Sequence, residues 1–474
     1  MKDKEVIKEM ITEKTARDLV YSGYQDFSSY VTRERLVAKL EDGLIPAYRR
    51  TILAAYKICS KNFIKTVTLS GDTVGYYHPH SQSAIDDVIA ELVHIGILVG
   101  EGAWGKKMLV GEDAPPGASR YTFVKLNPEV TKILDNFLKY VPLVDGEMDN
   151  KEAKFIPFPL PILCNYGTFS LAPGLRVQLP AFTFSSMLEA YKKNNPLLLK
   201  STFGYKIVNA DIALKDIWET GKTNIWYTMD VMKETLDGQR GVIIKGSAEI
   251  FKPRLDLLAE WKNDGLIFVN DISNEKEDKI FIGINPGVKT LSLDEVYETA
   301  RKACVNMSTV QMYSLVENTA HPMGLKAWIE STLNTYHGVV ENYKKDQIQI
   351  QKDLIELMSY FVIVRDFIIK NINKHSLTIE QIIEATKAPE HIVRKIDSMS
   401  VKVLRTTDPD AETNKAKDII KEIEAISSTK MVNDLVKKIN IDPTYEMTNP
   451  LTMKDINNMN IKLRMRTAKD ETNN

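Results

Sequence analysis

A proline-free stretch of about 50 residues, 324–375, constrains the fold of this chain more than any other feature. Apolar side chains such as Leu357 and Phe361 recur there at helical spacing, and few globular domains need so long a helix. A second helical stretch, 412–428, is predicted to return antiparallel to the first, with a small helical knob at 376–396 between them. We therefore predict a projecting arm of a kind that commonly dimerises. An ordinary helical bundle is the alternative.

The length of 474 residues exceeds what one hydrophobic core usually organises, so several domains are expected. The texture of the sequence predicts a charged helical arm, then short helices with glycine-rich turns, then an α+β region, then the long arm. The corresponding residues are 1–30, 31–155, 156–325 and 326–474. In the third region the candidate strands are 241–246, 265–270 and 279–284, and the candidate hairpin turns are 219–223 and 236–241.

The formal net charge of -1 hides a local excess of basic residues. Residues 31–65 contain eight lysines or arginines and three acids. A cationic face of this kind can bind phosphate while the rest of the chain stays acidic. The alternative is a solvated helix face, which such runs form just as often.

The three cysteines, Cys59, Cys164 and Cys304, are far apart, so neither a disulfide framework nor a cysteine zinc site is indicated. The N-terminus lacks the apolar core of a signal peptide. No run approaches the roughly 20 apolar residues of a membrane span. We expect a soluble protein of a reducing cytoplasm, with no membrane partner.

Two helices are predicted around the His-Pro-His motif at 78–80. Apolar residues at helical spacing follow the motif, and Ser81 or Ser83 is expected to cap that helix, the latter in a capping box with Asp86. An amphipathic helix at 47–59 precedes it, and the pair can form a helix-turn-helix whose second helix enters a DNA groove. The histidines could also ligate a metal, but no third or fourth ligand lies nearby in the sequence. A histidine beside DNA phosphate is therefore the preferred interpretation.

The loop-rich stretch 100–126 contains the dipeptide Arg120-Tyr121. A phenol with a pKa of about 10 is a poor nucleophile at neutral pH, so a catalytic tyrosine needs cations that favour the phenolate or stabilise charge on phosphate. Arg120 could supply one such cation. The dipeptide alone says little, because most of the 19 tyrosines must be packing or surface residues.

Two other patterns are better explained as turns. The Gly-Lys-Thr sequence at 221–223 resembles the end of a phosphate-binding P-loop, but Asp216 stands where that motif requires glycine, so a hairpin turn is predicted. Asp408 and Asp410 resemble a magnesium-binding pair, but the proline between them favours a turn that links two helices. The sequence therefore indicates neither an ATP site nor a metal site in this chain.

Five motifs resemble, in order and approximate spacing, the breakage-reunion core shared by bacterial gyrase, in its DNA-cutting polypeptide, by the topoisomerase IV counterpart and by eukaryotic topoisomerase II. They are DGLIPAYRR (42–50), GDTVGYYHPHSQSA (71–84), EGAWG (101–105), ASRYTFVKL (118–126) and LPILCNYGTFSLAPGLRVQLP (160–180). The resemblance implies a multidomain α+β fold. Its parts would be a winged-helix (helix-turn-helix) domain with the active tyrosine, an α/β tower domain, and a long antiparallel coiled-coil arm with a helical dimerisation knob.

The resemblance also implies catalytic roles for matching residues. Tyr121 would attack the scissile phosphate, form a 5′-phosphotyrosyl bond and free a 3′-hydroxyl. Arg120, Arg35 and His80 would stabilise or protonate groups around that phosphate.

A second set of matching residues would contact DNA without reacting. Arg49, Arg50 and His78 would hold the DNA backbone. Leu171 stands where the family usually has an isoleucine that wedges between base pairs and bends the duplex. Ser83 would lie at the DNA, and it matches a position that contacts quinolone drugs in gyrase, as does Asp87.

The cofactors and partners implied by the resemblance lie largely outside this chain. Mg²⁺ would be held by the TOPRIM domain, and ATP by the ATPase, of a large partner subunit. The chain itself would bind double-stranded DNA as a homodimer with one Tyr121 per protomer. It would act as the cutting and religating subunit of an ATP-dependent type IIA topoisomerase.

Several departures from the family motifs argue for a divergent branch, although none removes a catalytic group. They are Ile45, Tyr48, Ser81, Gln82, Trp104, Phe123, Pro173 and Arg176. The short chain resembles most the medium subunit of T-even-type phage topoisomerases, which would place it in a host cytoplasm. It leaves no room for the DNA-wrapping β-pinwheel of gyrase, so relaxation or decatenation is expected rather than active supercoiling.

Two rival classes remain open. A tyrosine recombinase or type IB topoisomerase also combines arginine, histidine and tyrosine, but it forms a 3′-phosphotyrosine without magnesium. A non-catalytic DNA-binding or coiled-coil architectural protein would not need Tyr121 for its function.

Overall fold

The described part of the chain forms two compact units. A computed structural model describes residues 15–172, 174–249, 251–274, 277–371, 377–439 and 451–459. The first unit contains the described residues up to Tyr336 and those from Asp434 onward, and the second contains His337–Asn433. The boundary lies inside one continuous helix, so the predicted arm region 326–474 contributes to both units. Among the described residues, every helix falls short of the length and apolarity that a membrane crossing needs.

The first unit begins with helix α1 (Ala16–Val31), all of whose residues are at least partly exposed. The predicted N-terminal arm is therefore helical from Ala16, while its residues 1–14 lie outside the described part. One turn of π-helix, Thr32–Leu36, connects α1 to strand β1 (Ala38–Lys39).

A group of three helices and a three-stranded sheet follows β1. Its elements, with two short hairpins and one further helix, are α2 (Pro46–Cys59), β2 (Ile64–Lys65), α3 (Thr66–Tyr76), α4 (Gln82–Ile95), β3 (Leu98–Glu101), β4 (Trp104–Lys106), β5 (Ala114–Pro116), β6 (Phe123–Leu126), α5 (Pro128–Phe137), β7 (Leu143–Asp145) and β8 (Lys151–Ala153). The sheet has the order β2-β6-β3, and β4-β5 and β7-β8 form the hairpins.

Helices α2 and α4 confirm the two helices predicted around the His-Pro-His motif. Each buries an apolar face, and Ile52 in α2 and Ile89 in α4 are inaccessible to solvent. The capping box predicted for Ser83 is wrong. Ser81 takes the N-cap position of α4, and its hydroxyl oxygen lies 2.8 Å from that of Ser83, so the two serines bond to each other rather than cap the helix.

The region after residue 156 carries the larger sheets of the first unit. Its elements are β9 (Phe169–Ala172), β10 (Leu175–Gln178), α6 (Phe184–Lys193), α7 (Ala210–Glu219), β11 (Lys222–Thr228), β12 (Asp230–Leu236), β13 (Gln239–Gly246), α8 (Ala259–Asn263), β14 (Ile267–Asp271), β15 (Asp278–Ile284), α9 (Leu293–Ala303), β16 (Val305–Gln311), β17 (Tyr313–Val316) and β18 (Thr319–Pro322). The sheet orders are β11-β16-β10-β9, β12-β13-β15-β14 and β1-β17-β18; β1 and β17 are parallel, and the other pairs are antiparallel.

Strands β13, β14 and β15 confirm the three candidate strands. The predicted turn at 236–241 is also confirmed, since Leu236 pairs with Gln239 across a hairpin. The hairpin predicted at 219–223 is wrong, because that segment connects α7 to β11. Gly221 has a φ of +72° and donates to the carbonyl of Asp216, so it ends the helix.

The long helix predicted from the sequence is α10 (Leu325–Asn371), 47 residues in length. The helices after it are α11 (Ile379–Thr386), α12 (Glu390–Asp397), α13 (Val401–Thr406), α14 (Pro409–Glu424), α15 (Ser428–Ile439) and α16 (Met453–Asn458). Phe361 in α10 clusters with buried residues of α11 to α13, which form the predicted knob. Lys344 donates to the carbonyl of Ile426, so α14 returns towards the start of the second unit. Asp408 caps α14, which confirms the predicted helix-linking turn.

Candidate active site and DNA interface

Tyr121 lies on an exposed loop that is fixed to the start of α3. Its side chain is 69% exposed. The loop is held on both sides of the tyrosine: the backbone amide of Val67 donates to Ser119 at 3.0 Å, and that of Thr66 donates to Thr122 at 3.0 Å. The buried Thr122 hydroxyl also donates to Thr66 Oγ1 at 2.8 Å. A reactive phenol is therefore presented to solvent from a well-anchored backbone.

The guanidinium carbon of Arg120 lies 4.7 Å from the centre of the Tyr121 ring. Both side chains are exposed, so this contact is a weak cation–π interaction. It nevertheless holds a permanent positive charge next to the phenol, where charge would build up on a phosphate during attack.

A second group of functional side chains, here called the Arg50 cluster, brings together residues that are far apart in the sequence. Its members are Tyr30, Arg35, Arg50, His78, His80, Glu147 and Glu152. The rings of His78 and His80 meet edge to face with their centres 4.3 Å apart. Arg50 Nη1 lies 3.1 Å from His78 Nδ1, and Arg35 Nη2 lies 3.1 Å from His80 Nδ1. The structure thus assembles four of the nine residues predicted to act on DNA.

Two glutamates neutralise Arg50 in different ways. Glu152 on strand β8 accepts from Nε at 3.0 Å and from Nη2 at 3.1 Å, and Glu147 in the β7–β8 turn accepts from Nη1 at 2.9 Å. Glu147 also accepts from the Tyr30 hydroxyl at 3.0 Å. The arginine side chain is 4% exposed, so its charge is compensated inside the protein.

Burial and neighbouring charges shift two pKa values in this cluster. Burial, followed by the positive charges of His80 and Arg50, lowers the pKa of His78 to about 4, so its imidazole is neutral at pH 7. A neutral His78 is consistent with Nδ1 accepting from Arg50. Burial and the Glu147 carboxylate raise the pKa of Tyr30, which keeps that phenol protonated as a donor.

His78, His80 and Glu147 are also the one group, within the described residues, whose ligand atoms are close enough to hold a metal ion. The sequence lacked a nearby third ligand, and Glu147 supplies it from a distant turn. However, the guanidinium of Arg50 already contacts both His78 and Glu147. Two nitrogen ligands and one oxygen also do not match Mg²⁺, which prefers oxygen ligands throughout.

Arg49 does not have the surroundings expected of a DNA-backbone contact. Its side chain is 1% exposed, and it forms a two-pronged pair with Asp42, with Nε–Oδ2 and Nη2–Oδ1 distances of 2.8 and 2.9 Å. It also donates to the Leu44 carbonyl. Because this guanidinium is fully used within the fold, we assign Arg49 a structural role and leave it out of the DNA-contacting set.

The sites of Tyr121 and of the Arg50 cluster remain two separate groups. Across the described residues, no hydrogen bond or ion pair joins the Tyr121 hydroxyl to Arg35 or His80. The expectation that these residues act on one phosphate is therefore not tested by contacts within a single chain.

The sequence profile of the DNA gyrase/topoisomerase IV family, for the polypeptide designated A, matches residues 35–443. The chain belongs to this family. The corresponding A polypeptide of DNA topoisomerase 4 from Staphylococcus aureus (strain NCTC 8325 / PS 47) is 25% identical over 460 residues, which cover 88% of this chain and 56% of the relative. That of Staphylococcus epidermidis (strain ATCC 12228 / FDA PCI 1200) is 24% identical over 383 residues, covering 73% and 47%. The chain thus spans about half the length of these curated relatives.

In this member of the family, the residue predicted to wedge into DNA lies on an exposed hairpin. Leu171 in β9 is 48% exposed and is paired with Arg176 of β10. Phe169 on the same strand is 44% exposed, and the Arg176 guanidinium carbon lies 5.2 Å from the centre of its ring. Pro173 lies outside the described residues. Ser83 is exposed in the first turn of α4.

Sequence reasoning missed Tyr30, Glu147 and Glu152. Tyr30 was placed at the end of the N-terminal arm, and the two glutamates lie in a hairpin that resembles none of the quoted motifs. The Glu147 carboxylate is 97 residues from Arg50 along the chain, so no local pattern could reveal their contact.

Proposed function

We propose that this chain is the DNA-cleaving and religating subunit of a type IIA DNA topoisomerase, with Tyr121 as its nucleophile. The observation that carries the proposal is the exposure of Tyr121 on an anchored loop, with the Arg120 guanidinium against its ring. A tyrosine that served packing would be buried. The family membership gives this position its chemistry, because ASRYTFVKL resembles the motif around the active tyrosine.

The proposed reaction is a reversible exchange of esters. The Tyr121 oxygen attacks the scissile phosphorus, a tyrosyl O–P bond forms, and the bond to the 3′ oxygen breaks. The phenol loses its proton, and the leaving 3′ oxygen gains one. Because one phosphodiester replaces another, resealing needs only attack by the 3′-hydroxyl in the opposite direction.

The remaining charged residues would position DNA and stabilise the transition state. Arg120, Arg35 and His80 are proposed to face the reacting phosphate. Arg50 and His78 are proposed to hold neighbouring phosphates, and Leu171 to enter the base stack and bend the duplex.

The cofactors are proposed to reside on a partner polypeptide. The His78–His80–Glu147 group does not suit Mg²⁺, as its ligand types show, so no step of the mechanism is assigned to a metal held by this chain. When bound by a partner's TOPRIM domain, Mg²⁺ would stabilise charge on the phosphate and the leaving oxygen. ATP binding by the same large subunit would time the passage of a second duplex.

The proposed assembly is a homodimer in which each Tyr121 cuts one strand and the helical arms form an exit gate. With the ATPase/TOPRIM partner it would relax or decatenate DNA, in the cytoplasm of a bacterium or, for a phage-encoded subunit, of its host. Membership of the T-even phage branch remains a prediction.

The decisive experiment traps the covalent intermediate. The chain is incubated with DNA, Mg²⁺ and the candidate ATPase/TOPRIM partner, the reaction is stopped with detergent, and the residue attached to the DNA ends is identified. We expect Tyr121 at the 5′ ends. Tyr121→Phe should abolish both trapping and DNA relaxation, whereas Tyr76→Phe, at a tyrosine that is 59% exposed, should leave both intact.

Each rival predicts a different result in this assay. A tyrosine attached to 3′ ends, without any need for Mg²⁺, would indicate a tyrosine recombinase or type IB enzyme. Relaxation that persists in Tyr121→Phe would indicate a DNA-binding protein without a catalytic tyrosine.

A further inference from the structure

The carboxylate of Glu147 is enclosed by donors in the Arg50 cluster. One oxygen accepts from the Tyr30 hydroxyl at 3.0 Å. The other lies 2.9 Å from Arg50 Nη1, 3.4 Å from His80 Nε2 and 3.8 Å from His78 Nδ1. A guanidinium, a phenol hydroxyl and two imidazoles around one anion are the groups that also bind a phosphate oxygen. The Glu147 carboxylate therefore occupies an anion-binding site.

The two acidic partners of Arg50 differ in how firmly the fold holds them. Glu152 lies within β8 and is paired with Val144 of β7, and it takes the Nε and Nη2 side of the guanidinium. Glu147 lies in the turn between these strands, where the neighbouring Met148 is 40% exposed. Movement of the turn would release Nη1 of Arg50, while Glu152 keeps the arginine charge compensated.

We propose that Glu147 occupies a DNA-phosphate site in the free chain and that the DNA backbone must displace it to reach Arg50 and His80. This inference rests on the proposed function, and it explains why Arg50 and His78 are buried although they are expected to hold DNA. The carboxylate repels an incoming phosphate, so stable binding requires the turn to move as the phosphate enters.

The test compares DNA affinities of full-length variants in a Tyr121→Phe background, which prevents cutting. Glu147→Gln keeps the shape of the side chain and removes its charge. Asp149→Asn is the matched control, because it makes the same change of net charge in the same turn without removing a member of the cluster. Asp149 has a φ of +51°, which asparagine tolerates well. Dissociation constants for a short duplex are measured at one fixed salt concentration, since binding to phosphates depends on salt.

We expect Glu147→Gln to bind the duplex about tenfold more tightly than Asp149→Asn, because the phosphate no longer competes with a carboxylate. Glu147→Asp keeps the charge but shortens the reach to Tyr30 and Arg50. It should bind with an affinity between those of the parent chain and Glu147→Gln, which separates occupation of the site from net charge.

The inference is overturned if Glu147→Gln binds DNA no more tightly than Asp149→Asn. The same holds if Glu147→Gln only lowers the melting temperature and leaves the dissociation constant unchanged, since Glu147 would then be purely structural. A failure of every variant and of the parent chain to bind DNA would instead contradict the proposed function itself.

Discussion

Arg49 and Arg50 are adjacent in one motif, but their guanidinium groups have different surroundings. Arg49 is paired with Asp42 inside the first unit. Arg50 turns towards the histidines, and one of its nitrogens contacts Glu147 in an exchangeable turn. On a helix, consecutive residues point in directions about 100° apart, so one can support the fold while the other serves the site.

Breaking the Arg49–Asp42 pair should reduce stability and leave DNA binding unchanged. Both Arg49→Met and Asp42→Asn leave one buried partner without its counterpart, which costs about 3–5 kcal/mol. Asp42 also accepts from the amides of Leu44 and Ile156, so it supports several segments at once. Thermal unfolding should show a lower melting temperature for both variants. At temperatures where they stay folded, both should bind a duplex like the parent chain.

A different pattern would contradict this structural assignment. If Arg49→Met weakened DNA binding while Asp42→Asn did not, Arg49 would be a DNA contact after all.

The individual site residues were only partly predictable from the sequence. The motifs identify Tyr121 and the two histidines as candidates, because the residue types suit phosphate chemistry. They do not distinguish a buried arginine from a functional one, since both occur in the same dipeptide. They also do not reveal Glu147, which joins the cluster only through tertiary folding.

At the scale of single elements, hydrophobic periodicity predicted the long helices and the central strands well. Turns were less predictable, because the same residue suits several of them. Gly221 illustrates this point: its positive φ fits a hairpin, but here it ends α7 and begins β11. Its Cα also lies so close to the Met323 carbonyl that an added Cβ would come within 2.0 Å of that oxygen.

The β9–β10 hairpin should matter for DNA bending through Leu171. Removing most of this exposed side chain with Leu171→Ala leaves the core intact and takes away the proposed wedge. We expect less bending, measured by energy transfer between dyes at the two ends of a duplex, and less trapped cleavage complex with the partner present. Leu197→Ala is the control, because Leu197 is 47% exposed and lies outside the hairpin. Equal bending by both variants would remove Leu171 from the mechanism.

At the scale of the whole molecule, the sequence indicated several domains but not where the compact units divide. The division lies between Tyr336 and His337, within α10. Neither composition nor a turn marks it, because a continuous helix needs no break in its sequence where its packing partners change. The residues from Asp434 onward return to the first unit.

The proposed homodimer makes a specific prediction about strand cutting. If each protomer cuts one strand, a dimer of one unmodified chain and one Tyr121→Phe chain should make single-strand breaks only. Such dimers can be isolated with a different affinity tag on each chain. After incubation with DNA, Mg²⁺ and the large partner, detergent trapping should give nicked DNA with protein on one 5′ end, and dimers of unmodified chains should give double-strand breaks. A Tyr76→Phe chain in place of Tyr121→Phe should restore double-strand breaks. Double-strand breaks from the mixed Tyr121→Phe dimer would mean that one tyrosine serves both strands, since an ester exchange at one phenol can be repeated only after resealing.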